Sequence, residues 1–84
     1  MTYAVVFLRR AQKELEDLRP GDYGRVRDAI ADLAADPRPP GCIKLTDRTG
    51  WRIRVGDFRI IYTINDSQLL VTVVRVGNRR DIYR

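Results

Sequence analysis

The segment that most constrains this chain is Trp51-Arg52-Ile53-Arg54-Val55-Gly56-Asp57-Phe58-Arg59-Ile60-Ile61-Tyr62, where apolar and cationic residues alternate with the two-residue period of a β-strand. Gly56-Asp57 interrupts the alternation as a two-residue hairpin turn does, because glycine is free to take the positive φ of the first turn position. Pairing across that turn sets Val55 against Phe58 and Arg54 against Arg59, and places Arg52 on the same side of the sheet. Three guanidiniums then share one face. Like charges directly opposite each other destabilise a sheet, so folding alone gives no reason for the arrangement and a bound polyanion does. The competing structural reading is a solvated arginine face with salt bridges to Asp57 or Asp81.

Charge is distributed to match. The 84 residues carry a net charge of +5, and residues 1–42 are balanced with seven basic and seven acidic side chains. Residues 43–84 hold nine basic against four acidic, so the whole excess lies C-terminal. Fourteen of the sixteen basic residues are arginine, whose planar fork binds phosphate bidentately where lysine acts as a point charge. A GC-rich genome accounts for that ratio equally well, but not for the clustering.

The length predicts one small domain over residues 1–84. With Cys42 alone and no histidine, neither an intrachain disulfide nor a common zinc-ligand set is available, and the expectation is a reduced, metal-free, cofactor-free cytoplasmic domain. The start of the chain has no basic residue ahead of its short apolar run, and no stretch approaches the ~20 apolar residues of a membrane span. Neither a signal peptide nor a membrane partner is expected.

Tyr3 to Leu8 reads as a first strand. A helix from about Arg9 to Leu18 follows, with Ala11, Leu15 and Leu18 on one face; Asp22 is expected to cap a second helix, with Val26, Ile30 and Leu33 repeating the spacing and Asp36-Pro37 stopping it. Lys44-Leu45 is a possible extended segment. After the arginine hairpin, Asn65 to Gln68 turns and Leu69 to Val76 makes the last strand. The expected architecture is α+β, ordered β-α-α-β-β-β, a small antiparallel sheet packed on one face by a helical hairpin. Pairing Ile64 with Leu69 puts Arg59 opposite Val74. It also places Ile61, Thr63, Leu70, Thr72, Val74 and Val76 beside the arginines, on a face too apolar for a merely solvated surface.

The tail Val76-Gly77-Asn78-Arg79-Arg80-Asp81-Ile82-Tyr83-Arg84 adds cations and a tyrosine, and by topology it leaves the sheet near the turn of the arginine hairpin. Arg79 and Tyr83 are therefore within reach of the triad, although Tyr83 also fits a packing role. Lys44 fits an ordinary surface lysine or an electrostatic guide. Catalytic options are few: Cys42 lacks a histidine to activate it, and there is no glycine-rich phosphate cradle. Glu14, Glu16 and Asp17 read as a solvated helix face. Tyr83 remains for proton transfer, since surrounding guanidiniums favour its phenolate and arginine cannot act as a base.

These segments together resemble the RelE/ParE toxin superfamily of bacterial type II toxin-antitoxin systems, and its RelE branch most. The resemblance rests on Ala11 with Lys13-Glu14-Leu15, Asp36-Pro37-Arg38, Lys44-Leu45, the arginine hairpin and the tail through Tyr83. It implies a metal-independent, ribosome-dependent endoribonuclease that cuts mRNA in the decoding site by attack of the 2′-hydroxyl on the adjacent phosphate. By position it implies catalytic roles for Arg52, Arg54, Arg59, Arg79 and Tyr83, with RNA contacts from Lys44 and Arg80. Arg52 and Arg54 stand where the archetype has lysines, which leaves the general base open. The implied partners are the ribosome with its mRNA and a RelB-like antitoxin covering Ile61, Leu70 and Val74. Operator DNA is reached only through the antitoxin complex. A ParE-like gyrase poison of the same fold and a bare RNA-binding module are the alternatives.

Overall fold

The computed structural model describes residues 2–81. The elements run β1 (Ala4–Phe7), α1 (Arg9–Glu16), α2 (Pro20–Asp32), β2 (Ile43–Lys44), β3 (Trp51–Val55), β4 (Phe58–Asn65) and β5 (Leu70–Asn78). Five strands form one sheet in the order β1-β5-β4-β3-β2. The α+β class holds, with two differences from the sequence reading. The extended segment near Lys44 is a true edge strand, and β1 joins the sheet parallel to β5, making it mixed. A parallel partner needs a long crossover, here the helical hairpin itself, and no local signal announces such a pairing.

Each helix is held by one apolar stripe. Ala11 and Leu15 of α1 and Val26 and Ile30 of α2 are buried, together with Leu33 just beyond α2. Proline occupies the first position of α2, where its fixed φ suits the helix and its missing N–H is not needed. Asp22 consequently lies inside the first turn rather than at the cap, and forms an ion pair with Arg25 at 2.6 Å. Against these stripes the sheet presents Ile53, Ile60, Tyr62, Val71, Val73 and Val76. Tyr62 is fully buried, and its hydroxyl donates to the Pro37 carbonyl at 2.7 Å, fastening the segment after α2 to the sheet.

The β3–β4 pairing matches the sequence reading: Val55 faces Phe58, Arg54 faces Arg59 and Arg52 faces Ile61. Gly56 takes φ 59° while Asp57 does not follow it into positive φ, the pattern of a type II′ turn. The β4–β5 pairing differs. Asn65 pairs with Leu70 and Ile64 with Val71, because the chain turns over residues 66–69 with Leu69 in the left-handed region at φ 52°. Farther along, Tyr62 pairs with Val73 but Ile61 with Arg75, so Val74 is the extra residue of a β-bulge. The bulge reverses the facing of all that follows. Val76, expected on the arginine face, is 1 % exposed in the core, and Arg75 takes the arginine side.

Candidate functional site

The helices cover one face of the sheet, so the alternation of β3 and β4 sends Arg52, Arg54 and Arg59 to the other. Arg52 and Arg59 are half-buried and Arg54 is exposed. Arg52 and Arg59 line a groove of about 390 Å³ with Ile43, Lys44, Leu45, Thr46 and Asp47 of the β2–β3 hairpin. Arg54, although directly opposite Arg59, lines a separate recess of about 400 Å³ with Ala29 and Asp32 of α2 and residues 39–41 of the following loop.

The β4–β5 register completes the row. Arg59 lies opposite Gly77, not Val74 as expected, so the neighbouring strand offers no side chain beside it. The Arg79 N–H donates to the Asp57 carbonyl at 2.9 Å, which fixes the start of the tail at the turn of the arginine hairpin. Adjacent strands lie ~4.8 Å apart and residues advance ~3.4 Å along a strand, so Arg54, Arg59 and Arg79 issue from backbone within reach of one phosphodiester. Arg79 and Arg80 line a recess of about 660 Å³ with Asp57, Asn78 and Asp81. Tyr83 lies outside the described residues.

The remaining tyrosines of the sheet are poor proton acceptors. Burial pushes the Tyr62 phenol far above its ordinary value, with Cys42 adding to the shift. Tyr3 lies beside the β4–β5 turn, where its bond to Asp66 raises its pKa. Among the described residues no group of three His, Cys, Asp or Glu side chains could hold a metal ion. What the face can do is bind a phosphate bidentately and neutralise charge that develops on it.

Beside the cations the outer face is apolar. Leu70 and Val74 are half-buried, Ile61 is 2 % exposed in the free chain, and Val6 and Leu8 extend the surface toward β1 at 43 % and 48 % exposure. Arg75 is the cation that sequence reading missed, since its side depends on the bulge. Glu14, read as part of a solvated helix face, accepts from the Arg75 Nε at 3.2 Å and from the Val76 N–H at 3.0 Å.

A mixed five-stranded sheet backed by two helices, with arginines gathered on its open face, defines a class of small α+β domain. The family described as the ParE toxin of the type II toxin-antitoxin system parDE matches residues 5–83. Toxin RelG of Mycobacterium tuberculosis is 34 % identical over 86 residues, spanning 100 % of this chain and 99 % of that protein. Among solved structures, the RelBE2 toxin-antitoxin complex of M. tuberculosis superposes with a TM-score of 0.79 at 31 % identity, covering 95 % of this chain and 94 % of its counterpart. The archaeal RelE–RelB complex of Pyrococcus horikoshii gives 0.84 at 28 % identity, covering 96 % and 99 %. The chain belongs to the RelE/ParE superfamily of type II toxin-antitoxin toxins, on its RelE branch.

Proposed function

We propose that this toxin is a metal-independent endoribonuclease that cleaves mRNA in the ribosomal decoding site. The observation that carries the reading is the row of cations from Arg54 and Arg59 to Arg79, the last held at the hairpin turn by its bond to Asp57. A site that only docks onto a folded protein has no need of a run of arginines along neighbouring backbone at one end of the sheet. In the reaction, the 2′-oxygen attacks the adjacent phosphorus, the bond from phosphorus to the 5′-oxygen breaks, and a 2′,3′-cyclic phosphate and a 5′-hydroxyl result. Arg52 and Arg54 hold the phosphodiester, Arg59 and Arg79 stabilise the pentavalent phosphorane, and Lys44 and Arg80 contact flanking RNA. Tyr83 takes the 2′-proton as general base, and water protonates the departing 5′-oxygen.

In the cell the partner is an antitoxin of the RelB kind, by likeness to the relatives solved as RelB–RelE complexes. It covers the arginine face with Leu70 and Val74, while Ile61 shapes the floor, and operator DNA is reached only through that complex in the cytoplasm. A second reading has a specific support: the family match carries the ParE description, and a gyrase poison would need no nuclease chemistry. In vitro translation with primer extension on the mRNA separates them, since ribosome-dependent cuts support the first reading and their absence the second. Tyr83→Phe removes only the hydroxyl and is expected to slow single-turnover cleavage by ~100- to 10,000-fold, the usual worth of acid-base assistance. A rate within a few-fold of wild type would move the proton acceptor to the ribosome or Asp81.

A further inference from the structure

Strand β1 pairs with β5 only as far as Phe7 against Val73, with a last bond from the Leu8 N–H to the Val73 carbonyl at 2.9 Å. Among the described residues, β5 from Val74 onward has β4 on one side and no strand on the other. A strand end with one paired side frays readily, and its unpaired N–H groups must find acceptors. This end of β5 is also the part that leads to Arg79. Glu14, in the last turn of α1, stands at the open edge. One carboxylate oxygen accepts from the Val76 N–H at 3.0 Å and from the Arg75 Nε at 3.2 Å, and the other lies 3.1 Å from a terminal guanidinium nitrogen of Arg75. Arg10 approaches the same carboxylate at 3.7 Å from the preceding turn of the helix. The Arg75 side chain is 13 % exposed and that of Glu14 24 %, so the pair is more sheltered from water and salt than the Arg38–Asp66 pair at 42 % and 56 %.

We propose that Glu14 is a positioning residue for the cationic site, closing the free edge of β5 and holding Arg75 so that the strand delivers Arg79 to the hairpin turn. The assignment rests on the nuclease reading for its consequence, though not for its geometry. Arg75 and Arg59 lie on the same face as diagonal neighbours, ~7 to 8 Å apart across paired strands. By drawing Arg75 to the strand edge and neutralising it, Glu14 also keeps a like charge from competing for the space beside Arg59.

Glu14→Ala removes both functions, whereas Glu14→Gln keeps an oxygen for the Val76 N–H and loses the ion pair. In Glu14→Ala the amides of Val76 and Arg79 are expected to exchange about tenfold faster or more, as the strand end opens locally. Cleavage on saturating programmed ribosomes is expected to fall ~10- to 100-fold through misplacement of Arg79, with the half-saturating ribosome concentration rising no further than it does in Arg79→Ala. Glu14→Gln should keep the Val76 amide protected and fall between wild type and Glu14→Ala in rate. Asp66→Asn, which loosens the opposite end of the sheet, controls for general destabilisation and should leave the Arg79 amide and the cleavage rate as they are. Unchanged Arg79 exchange in both Glu14 variants overturns the proposal, as does a rate loss that Asp66→Asn reproduces. If wild-type protein cuts no mRNA, the nuclease reading fails while the amide measurements still decide the role of Glu14.

Discussion

Arg59 and Arg79 occupy different kinds of position, and that difference predicts how each should fail. Arg59 is half-buried in mid-sheet between Arg54 and the side-chain-free Gly77, so it is aimed by strand geometry. Arg79 is exposed and is placed by one backbone hydrogen bond to Asp57. Neither belongs to the apolar core, so Arg59→Ala and Arg79→Ala should fold with near wild-type circular dichroism and unfolding midpoints. Each should lose growth arrest when expressed, with cleavage slowed on the order of 100- to 1000-fold, the usual cost of deleting a donor to a developing anion. A folded variant that stays toxic would remove that residue from the site. The arginine side of the hairpin was legible in sequence because alternation across a two-residue turn fixes which side chains share a face. Arg75 was not legible. Its side depends on a one-residue bulge, and its partner Glu14 lies 61 positions away.

The hairpins and helices were readable wherever local chemistry decides them, as at Gly56, Pro20 and the apolar stripes of α1 and α2. The β4–β5 register was not, because its turn ends on a leucine with φ 52°, a conformation for which leucine gives no signal, and because the bulge at Val74 shifts the register by one residue. Gly50 is a local requirement of the β2–β3 hairpin. It adopts φ 133°, its carbonyl accepts from the Leu45 N–H, and a Cβ there would sit 3.0 Å from the Tyr62 carbonyl. Gly50→Ala should therefore destabilise the fold by about 1 to 3 kcal/mol in urea unfolding, through backbone strain and that contact together. At the same end of the sheet, Asp66 accepts from Tyr3 at 2.6 Å and from both terminal nitrogens of Arg38, whose guanidinium lies 5.1 Å over the Trp51 ring. Arg38 and Tyr3 hold the Asp66 carboxyl below its ordinary value, while the same contact raises the Tyr3 phenol. A depressed carboxyl stabilises above its unfolded pKa of ~3.9 and loses that contribution as pH falls through the folded value. A raised phenol stabilises below ~10 and loses its contribution on the alkaline side. The gap in urea midpoint between wild type and Asp66→Asn should thus be flat near neutrality and close in acid below about pH 4. A gap that persists at pH 2 would mean that packing, not charge, holds this clamp.

Charge and apolar surface divide the open side of the sheet between them, and the division sets what the toxin can grip. The excess of cations lies in residues 43–84, and the helices pack on the face of the sheet opposite Arg52, Arg54 and Arg59. On that side the arginines cluster toward the β3–β4 turn, and Leu70, Val6 and Leu8 extend toward β1. An antitoxin that masks both must offer acidic and apolar groups together, whereas RNA needs the cations alone. Binding to programmed ribosomes should therefore weaken steeply with salt. Four phosphate contacts, from Arg52, Arg54, Arg59 and Arg79, give a log–log slope of about −3 on single-stranded RNA, or roughly a 60-fold loss of affinity between 50 and 200 mM salt. Arg79→Ala should make the slope shallower by about 0.7 and weaken binding by a similar factor whatever the codon, as a phosphate contact does. Titrating labelled toxin against ribosomes at four or five salt concentrations gives both slopes. A wild-type slope shallower than about −1, or one that Arg79→Ala leaves unchanged, would show that the arginine row does not grip the phosphate backbone.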